Sequence, residues 1–141
     1  MRRELHNLGA AGFRGLKVWQ KSMDATDQVY AVTRGFPRAE VFGLTNQLRR
    51  AASSVPMNIA EGYRRKSRKQ DYLRFLRYAD GSAAEVETAT EIAARQEFMA
   101  AEVANGMIER FQEIGRMLGG LIAGVERETQ QERRENAKEE E

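Results

Sequence analysis

The chain has no cysteine, one histidine and two prolines in 141 residues. Without cysteine there is no disulfide framework and no thiolate metal site, which fits a reducing compartment. The single histidine, His6, stands in a terminal segment and leaves little basis for histidine-based metal or acid–base chemistry. Long apolar runs are missing too. Residues 1–15 hold none of the length a secretory signal needs, and the longest uncharged apolar run, residues 117–125, falls far short of the ~20 residues that span a bilayer. A soluble cytoplasmic protein without membrane association is expected. Nor does either charge dominate: 23 Lys and Arg face 21 Asp and Glu for a net of +2, so information about partners lies in how the charge is distributed. Also missing are a glycine-rich phosphate loop with its lysine, a Gly-x-Ser-x-Gly elbow and any Ser/His or Cys/His pair. The expectation is a protein that is not an enzyme and needs no cofactor.

What is present is helical periodicity, centred on GLTNQLRRAASSVPMNIAEG at residues 43–62. Leu44, Leu48, Ala51, Val55 and Ile59 step by three or four, which makes one stripe of a helix. Residues 1–13 show no period and read as a flexible arm. A first helix over residues 15–34 carries two apolar stripes, one through Leu16, Trp19, Met23, Thr26 and Tyr30 and one through Val18, Ala25, Val29 and Val32; Gly35 and Pro37 end it. The second helix spans residues 38–63, with Glu40 at the positive end of its dipole. Pro56 deletes the bond to the Ala52 carbonyl, so a kink is expected there, eased by Ser53 or Ser54; the alternative is two shorter helices broken at Ser54.

Ser67 followed by Gln70 predicts a capping box opening a third helix over residues 67–96, a rod of roughly 45 Å. A fourth helix, residues 101–126, contains Gly106, Gly115, Gly119, Gly120 and Gly124, an arrangement best justified by the close approach of another backbone, within or between subunits. Residues 127–141, ERETQQERRENAKEEE from Glu126 onward, lose the apolar stripe and read as a frayed extension or disordered tail. No strand signal and no repeat intervenes. One domain over residues 14–126, an all-α antiparallel up-and-down four-helix bundle, is the predicted architecture.

Charge is polarised along this frame. Between Arg49 and Ala79 stand nine basic residues, Arg49, Arg50, Arg64, Arg65, Lys66, Arg68, Lys69, Arg74 and Arg77, against Glu61 and Asp71, for a local net of +7. From Asp80 to Glu113 eight acids face Arg95 and Arg110. Cations after the second helix suit its dipole, but Arg68 and Lys69 occupy the positive end of the third helix, where charge alone disfavours them. The functional reading is an anion-binding corner formed by Arg49, Arg50, Arg64, Arg65, Lys66, Arg68 and Lys69, with Tyr63 and Tyr72 either stacking on bases or serving the core; the bland reading is a solvated loop. A second constellation joins Arg49, Arg50, Asn58 and Glu61 to Glu85, Glu87 and Glu91 on the next helix. It lacks the histidines of a helical di-metal site and reads as inter-helix ion pairs with a structural role for Asn58 and Glu61.

The segments FRGLKVWQKS, FPRAEVFGLTNQLRRAASSVPMNIAEGYRR and FLRYADGSAAEVET, in that order, resemble the four helix bundle protein family, also called the 23S rRNA intervening-sequence protein family. The resemblance covers about residues 13–125, and Asp80 departs from it at a position that is usually apolar. It implies a four-helix bundle assembled into a homopentamer, and genes found within insertions in ribosomal RNA genes as well as elsewhere. It also implies a distant likeness to the accessory proteins of diversity-generating retroelements, which bind nucleic acid and a reverse transcriptase. No catalytic residues carry over. The expectation is thus a non-enzymatic oligomeric scaffold that binds structured RNA or DNA through the corner between the second and third helices, with a nucleic-acid enzyme as a further candidate partner. The alternative is a protein-interaction module without nucleic acid.

Overall fold

The computed structural model describes residues 11–140. His6 and the expected arm up to residue 10 lie outside the described residues. Among those described there are four α-helices and no strand: α1 (Lys17–Thr33), α2 (Leu44–Arg64), α3 (Lys69–Arg95) and α4 (Ala101–Glu139), with 3-10 turns at Gly12–Gly15 and Arg38–Glu40. Each helix packs on the next, and α1 also packs on α4, so the four close around one core. Among the described residues no helix is long and apolar enough to cross a membrane.

The core follows the helical period. Buried positions are Val18, Ser22, Ala25, Val29 and Thr33 on α1; Leu48, Ala51, Ala52, Val55 and Ile59 on α2; Leu76, Ala79, Ala83, Val86 and Ala93 on α3; and Met107, Phe111, Ile114, Leu118 and Val125 on α4. Alanines line the α2 and α3 faces, so large side chains from α4 fill the space the alanines leave. On α1 the stripe through Val18 and Val29 is the buried one. The other expected stripe is split: Leu16 and Trp19 pack against the edge of the core, while Met23 and Tyr30 are exposed.

Element boundaries follow local chemistry. α2 begins at Leu44, six residues later than expected, because Arg38–Glu40 forms a separate 3-10 turn after Pro37. Glu40 still serves the helix: its carboxylate accepts a hydrogen bond of 3.0 Å from the Leu44 amide, satisfying one free donor at the start of α2. α2 runs unbroken through Pro56. Thr26 of α1 relieves the proline. Its hydroxyl lies 2.7 Å from the Ser22 carbonyl and 3.2 Å from the Ala52 carbonyl, the acceptor that Pro56 leaves without an amide. Ser53, expected in that role, bonds the Arg49 carbonyl instead at 2.7 Å.

The fourth helix also departs from expectation. It continues through Glu139, so the segment read as a frayed or disordered tail is helical. Its glycines meet no neighbouring backbone within the subunit. A Cβ at Gly106, Gly119 or Gly120 would find nothing within 4 Å, and at Gly115 only the Asp80 carboxylate, at 3.5 Å. Close approach does occur at Gly62 on α2, where a Cβ would stand 3.0 Å from the Phe75 Cβ and 3.3 Å from the Tyr72 carbonyl oxygen. There α3 crosses tightly over the end of α2, and this crossing positions the basic corner.

Candidate nucleic-acid interface

The corner is the connection between α2 and α3. After Arg64 the chain turns through Arg65 N to Gly62 O (2.9 Å), Lys66 N to Tyr63 O (3.1 Å) and Arg68 N to Arg65 O (2.8 Å). This compact turn places Arg68, not Ser67, at the N-cap of α3. The predicted Ser67–Gln70 capping box does not form, and no side chain caps α3. The N-terminus of a 27-residue helix therefore opens beside a run of cations.

The structure brings together Arg64, Arg65, Lys66, Arg68 and Lys69. Arg64, Lys66 and Arg68 are exposed, and none makes an ion pair with a carboxylate among the described residues. Arg64 lies 5.8 Å from the centre of the Phe13 ring, which itself packs on Trp19. Lys66 sits 4.1 Å above the Tyr63 ring and donates 2.9 Å to its hydroxyl. Arg65 forms an exposed i,i+4 pair with Glu61 at 2.8 Å, and with Arg74 it brackets the Phe75 ring at 5.4 and 5.1 Å.

Tyr63 and Tyr72 meet edge to face, centres 6.4 Å apart. Tyr72 is buried, and burial raises its hydroxyl pKa above the ordinary value, with Tyr63 and Glu128 contributing less. It is a core residue. Tyr63, half-buried under Lys66, offers no open ring for a base.

Arg49 and Arg50 do not join this corner. They precede Arg64 by four turns of α2, about 20 Å along the axis. Arg49 turns inward to α1, where its Nε donates 2.8 Å to the Thr33 hydroxyl and its guanidinium covers the Tyr30 ring at 4.8 Å. Arg50 lines an open cleft of about 480 Å³ together with Phe42, Asn46, Gln47, Ser54, Ser82 and Glu85. The second constellation does not assemble either. Glu61 is exposed and pairs with Arg65, Glu91 pairs with Arg95 at 3.7 Å, and Asn58 donates 2.8 Å to both the carbonyl and the hydroxyl of Ser54. Ser54 in turn meets Ser82 of α3 at 2.9 Å. Polar linkage between α2 and α3 thus runs through serines and an amide, and no group of acids or histidines among the described residues could hold a metal ion.

The residues that sequence reasoning missed come from α4. Its extension brings Glu128 and Glu132 onto Lys69 and Glu126 onto Arg77. Lys69 lies 3.6 Å from Glu128 and bonds Glu132 directly, and that hydrogen bond is the chief reason its ammonium pKa is raised. Arg77 meets Glu126 at 2.8 Å. The only local sign was a row of glutamates at helical spacing after the last apolar residue.

Set against known proteins, the fold and the family coincide. A solved structure from Bacteroides thetaiotaomicron, described as a protein of unknown function from the S23 ribosomal protein family, shares 24% identity. It superposes with a TM-score of 0.69 over 74% of this chain and 97% of its own, which shows the likeness of fold. No curated protein matches the chain. The family model of the 23S rRNA-intervening sequence protein matches residues 14–120, which takes in all of α1, α2 and α3, the basic corner and the first half of α4. On that match, the chain belongs to the 23S rRNA-intervening sequence protein family.

Proposed function

We propose that the protein is a non-enzymatic, oligomeric cytoplasmic scaffold that binds structured RNA or DNA through the corner between α2 and α3. The observation that carries this reading is the set Arg64, Lys66 and Arg68, exposed and without carboxylate partners among the described residues, on the short connection that leads into the uncapped N-terminus of α3. Backbone amides, arginine forks and a lysine facing outward from one place are what a row of phosphates requires. Arg65 and Arg74 are held against Phe75 and paired with Glu61 and Asp71, so they flank the unpaired set without belonging to it. Membership of a family described by a ribosomal RNA insertion agrees with a nucleic-acid partner.

The oligomeric part rests on the antiparallel up-and-down bundle we infer from the short connections, and on what its surface leaves uncovered. Phe42 is 93% exposed and Met57 68%, with Val41 and Tyr78 more than half exposed. Gly119 and Gly120 face open space, where a second subunit's helix can approach. In a homopentamer the corner would repeat around an axis and act multivalently. Such a ring could also present bound nucleic acid to a nucleic-acid enzyme.

The test is fluorescence anisotropy with a structured RNA and a matched DNA duplex at low and physiological salt, with the mass in solution measured alongside. Affinity that falls steeply with salt, by roughly one unit of log–log slope per phosphate contact, is expected. It should be lost in the triple variant Arg64→Glu, Lys66→Glu, Arg68→Glu at unchanged helix content, and the mass should be five times that of the chain. A wild-type protein that captures another protein but no nucleic acid would instead favour the interaction-module reading, for which the exposed Phe42 and Met57 speak.

A further inference from the structure

The corner carries its own competitor. Past Val125 no residue of α4 is buried, yet the helix continues for 14 residues to Glu139, beyond the stretch matched by the family model. What fixes its near part to the bundle is charge: Glu126 on Arg77, and Glu128 and Glu132 on Lys69. Residues 125, 128, 129 and 132 share one helical face, while Arg127, Arg134 and Lys138 fall on the opposite one, so the extension is acidic toward the corner and basic away from it. Lys69 is the most enclosed cation of the corner, its side chain only 23% exposed beneath those two carboxylates.

We propose that Glu128 and Glu132 act as a built-in phosphate mimic, occupying Lys69 so that the corner admits only ligands presenting several phosphates at once. The inference rests on the nucleic-acid reading of the corner. A single phosphate facing Arg64, Lys66 and Arg68 gains nothing from Lys69 while the carboxylates hold it. A duplex backbone engages the free cations first and then competes for Lys69 at high local concentration. Two carboxylates and two phosphates cannot share one ammonium, so binding of the polyanion and docking of the extension are antagonistic. No residue of the helix beyond Val125 is itself buried, so its release withdraws no α4 side chain from the core.

The experiment compares wild type with Glu128→Gln/Glu132→Gln, and with Glu102→Gln/Glu109→Gln as a control. The control makes the same change in net charge near the start of α4, about 30 Å or more from the corner and several Debye lengths away. The probe is a 20-base-pair RNA duplex at physiological salt, with helix content checked by circular dichroism. Removal of the mimic should tighten binding about five- to tenfold, as expected for two exposed charge contacts, while the control shifts it less than about twofold. Repeating the comparison in a Lys69→Met background should abolish the gain. Equal affinity of wild type and the mimic-free variant, or a gain that survives Lys69→Met, overturns the mimic and leaves the corner standing. No binding by any variant at any salt overturns both.

Discussion

Glu97 is the one non-glycine among the described residues with positive φ, at 64°. It closes α3. The Phe98 amide donates 2.9 Å to the Ala93 carbonyl and the Glu97 amide 3.0 Å to the Ala94 carbonyl, the paired bonds of a Schellman turn, and Phe98 packs on Phe36 with ring centres 5.8 Å apart. Glycine is the residue that suits this backbone, and a glutamate there bears left-handed strain. Glu97→Gly is expected to raise stability by about 0.5–1 kcal/mol, the relief being partly offset by the freer unfolded chain, and a urea midpoint read against wild type checks it. An unchanged or lowered midpoint would mean the glutamate is not strained. Single residues were the least legible level of the sequence. The end of α3 near Gln96 could be read from the loss of apolar phase, but its cap could not, because the customary glycine is absent. The partners of Arg49 are hidden from the sequence for a similar reason. A periodic pattern says which residues share a face, and it does not say whether an arginine at the edge of that face reaches the helix before or the helix after.

Elements were more legible, and α2 shows why. Its apolar stripe keeps phase through Pro56, and the helix does continue. What local sequence could not supply was the partner for the freed Ala52 carbonyl. That partner is Thr26, 26 residues away, and only the packing of α1 on α2 brings it there. This makes the two positions thermodynamically coupled. Thr26→Val should cost about 1–2 kcal/mol in the wild type, since a buried carbonyl loses its only side-chain donor. In a Pro56→Ala background the restored amide bonds Ala52 itself, and the same substitution should cost only its loss from the Ser22 carbonyl. A double-mutant cycle by chemical denaturation is expected to give a coupling of about 1 kcal/mol, and an additive cycle would show that the hydroxyl does nothing for the proline. α4 carries the complementary lesson. Loss of the apolar stripe after Val125 suggests a frayed extension or a disordered tail, yet Glu, Gln, Arg, Lys and Ala are strong helix formers. Charged contacts to α3 replaced apolar ones, as Lys69 and Arg77 show.

At the scale of the molecule the same electrostatics give stability a dependence on pH. α4 is tied to α1 by Lys21 and Glu113 at 2.5 Å, and to α3 by Lys69 and Arg77. The hydrogen bond from Lys21, then its charge, holds the Glu113 carboxyl below its ordinary pKa of 4.5, with Arg116 and Arg110 adding smaller contributions. A carboxyl depressed in the folded state contributes stability that is present above its unfolded pKa and fades as pH falls through the folded one. Lys69 is the opposite case. Its pKa is raised above 10.5, chiefly by Glu132, so its contribution is complete below that value and is lost as pH climbs past it. Tyr72, raised from 10.0 by burial, favours the neutral phenol in the fold and loses its contribution in the same alkaline direction. Urea midpoints measured across pH should therefore form a plateau that declines below about pH 4.5 and above about pH 10. Glu113→Gln should lower the plateau but converge on wild type at the acid end, where the native carboxyl is protonated as well. Lys69→Met should converge at the alkaline end, keeping only the decline that Tyr72 imposes. A gap between Glu113→Gln and wild type that stayed constant down to pH 2 would show that the Lys21 contact does not depend on the carboxylate charge. The polarity behind this profile was legible in the sequence as a basic segment followed by an acidic one. Which acids meet which cations was not, because the fold carries the end of α4 back to the start of α3 and partly neutralises the corner that the linear sequence presents as bare.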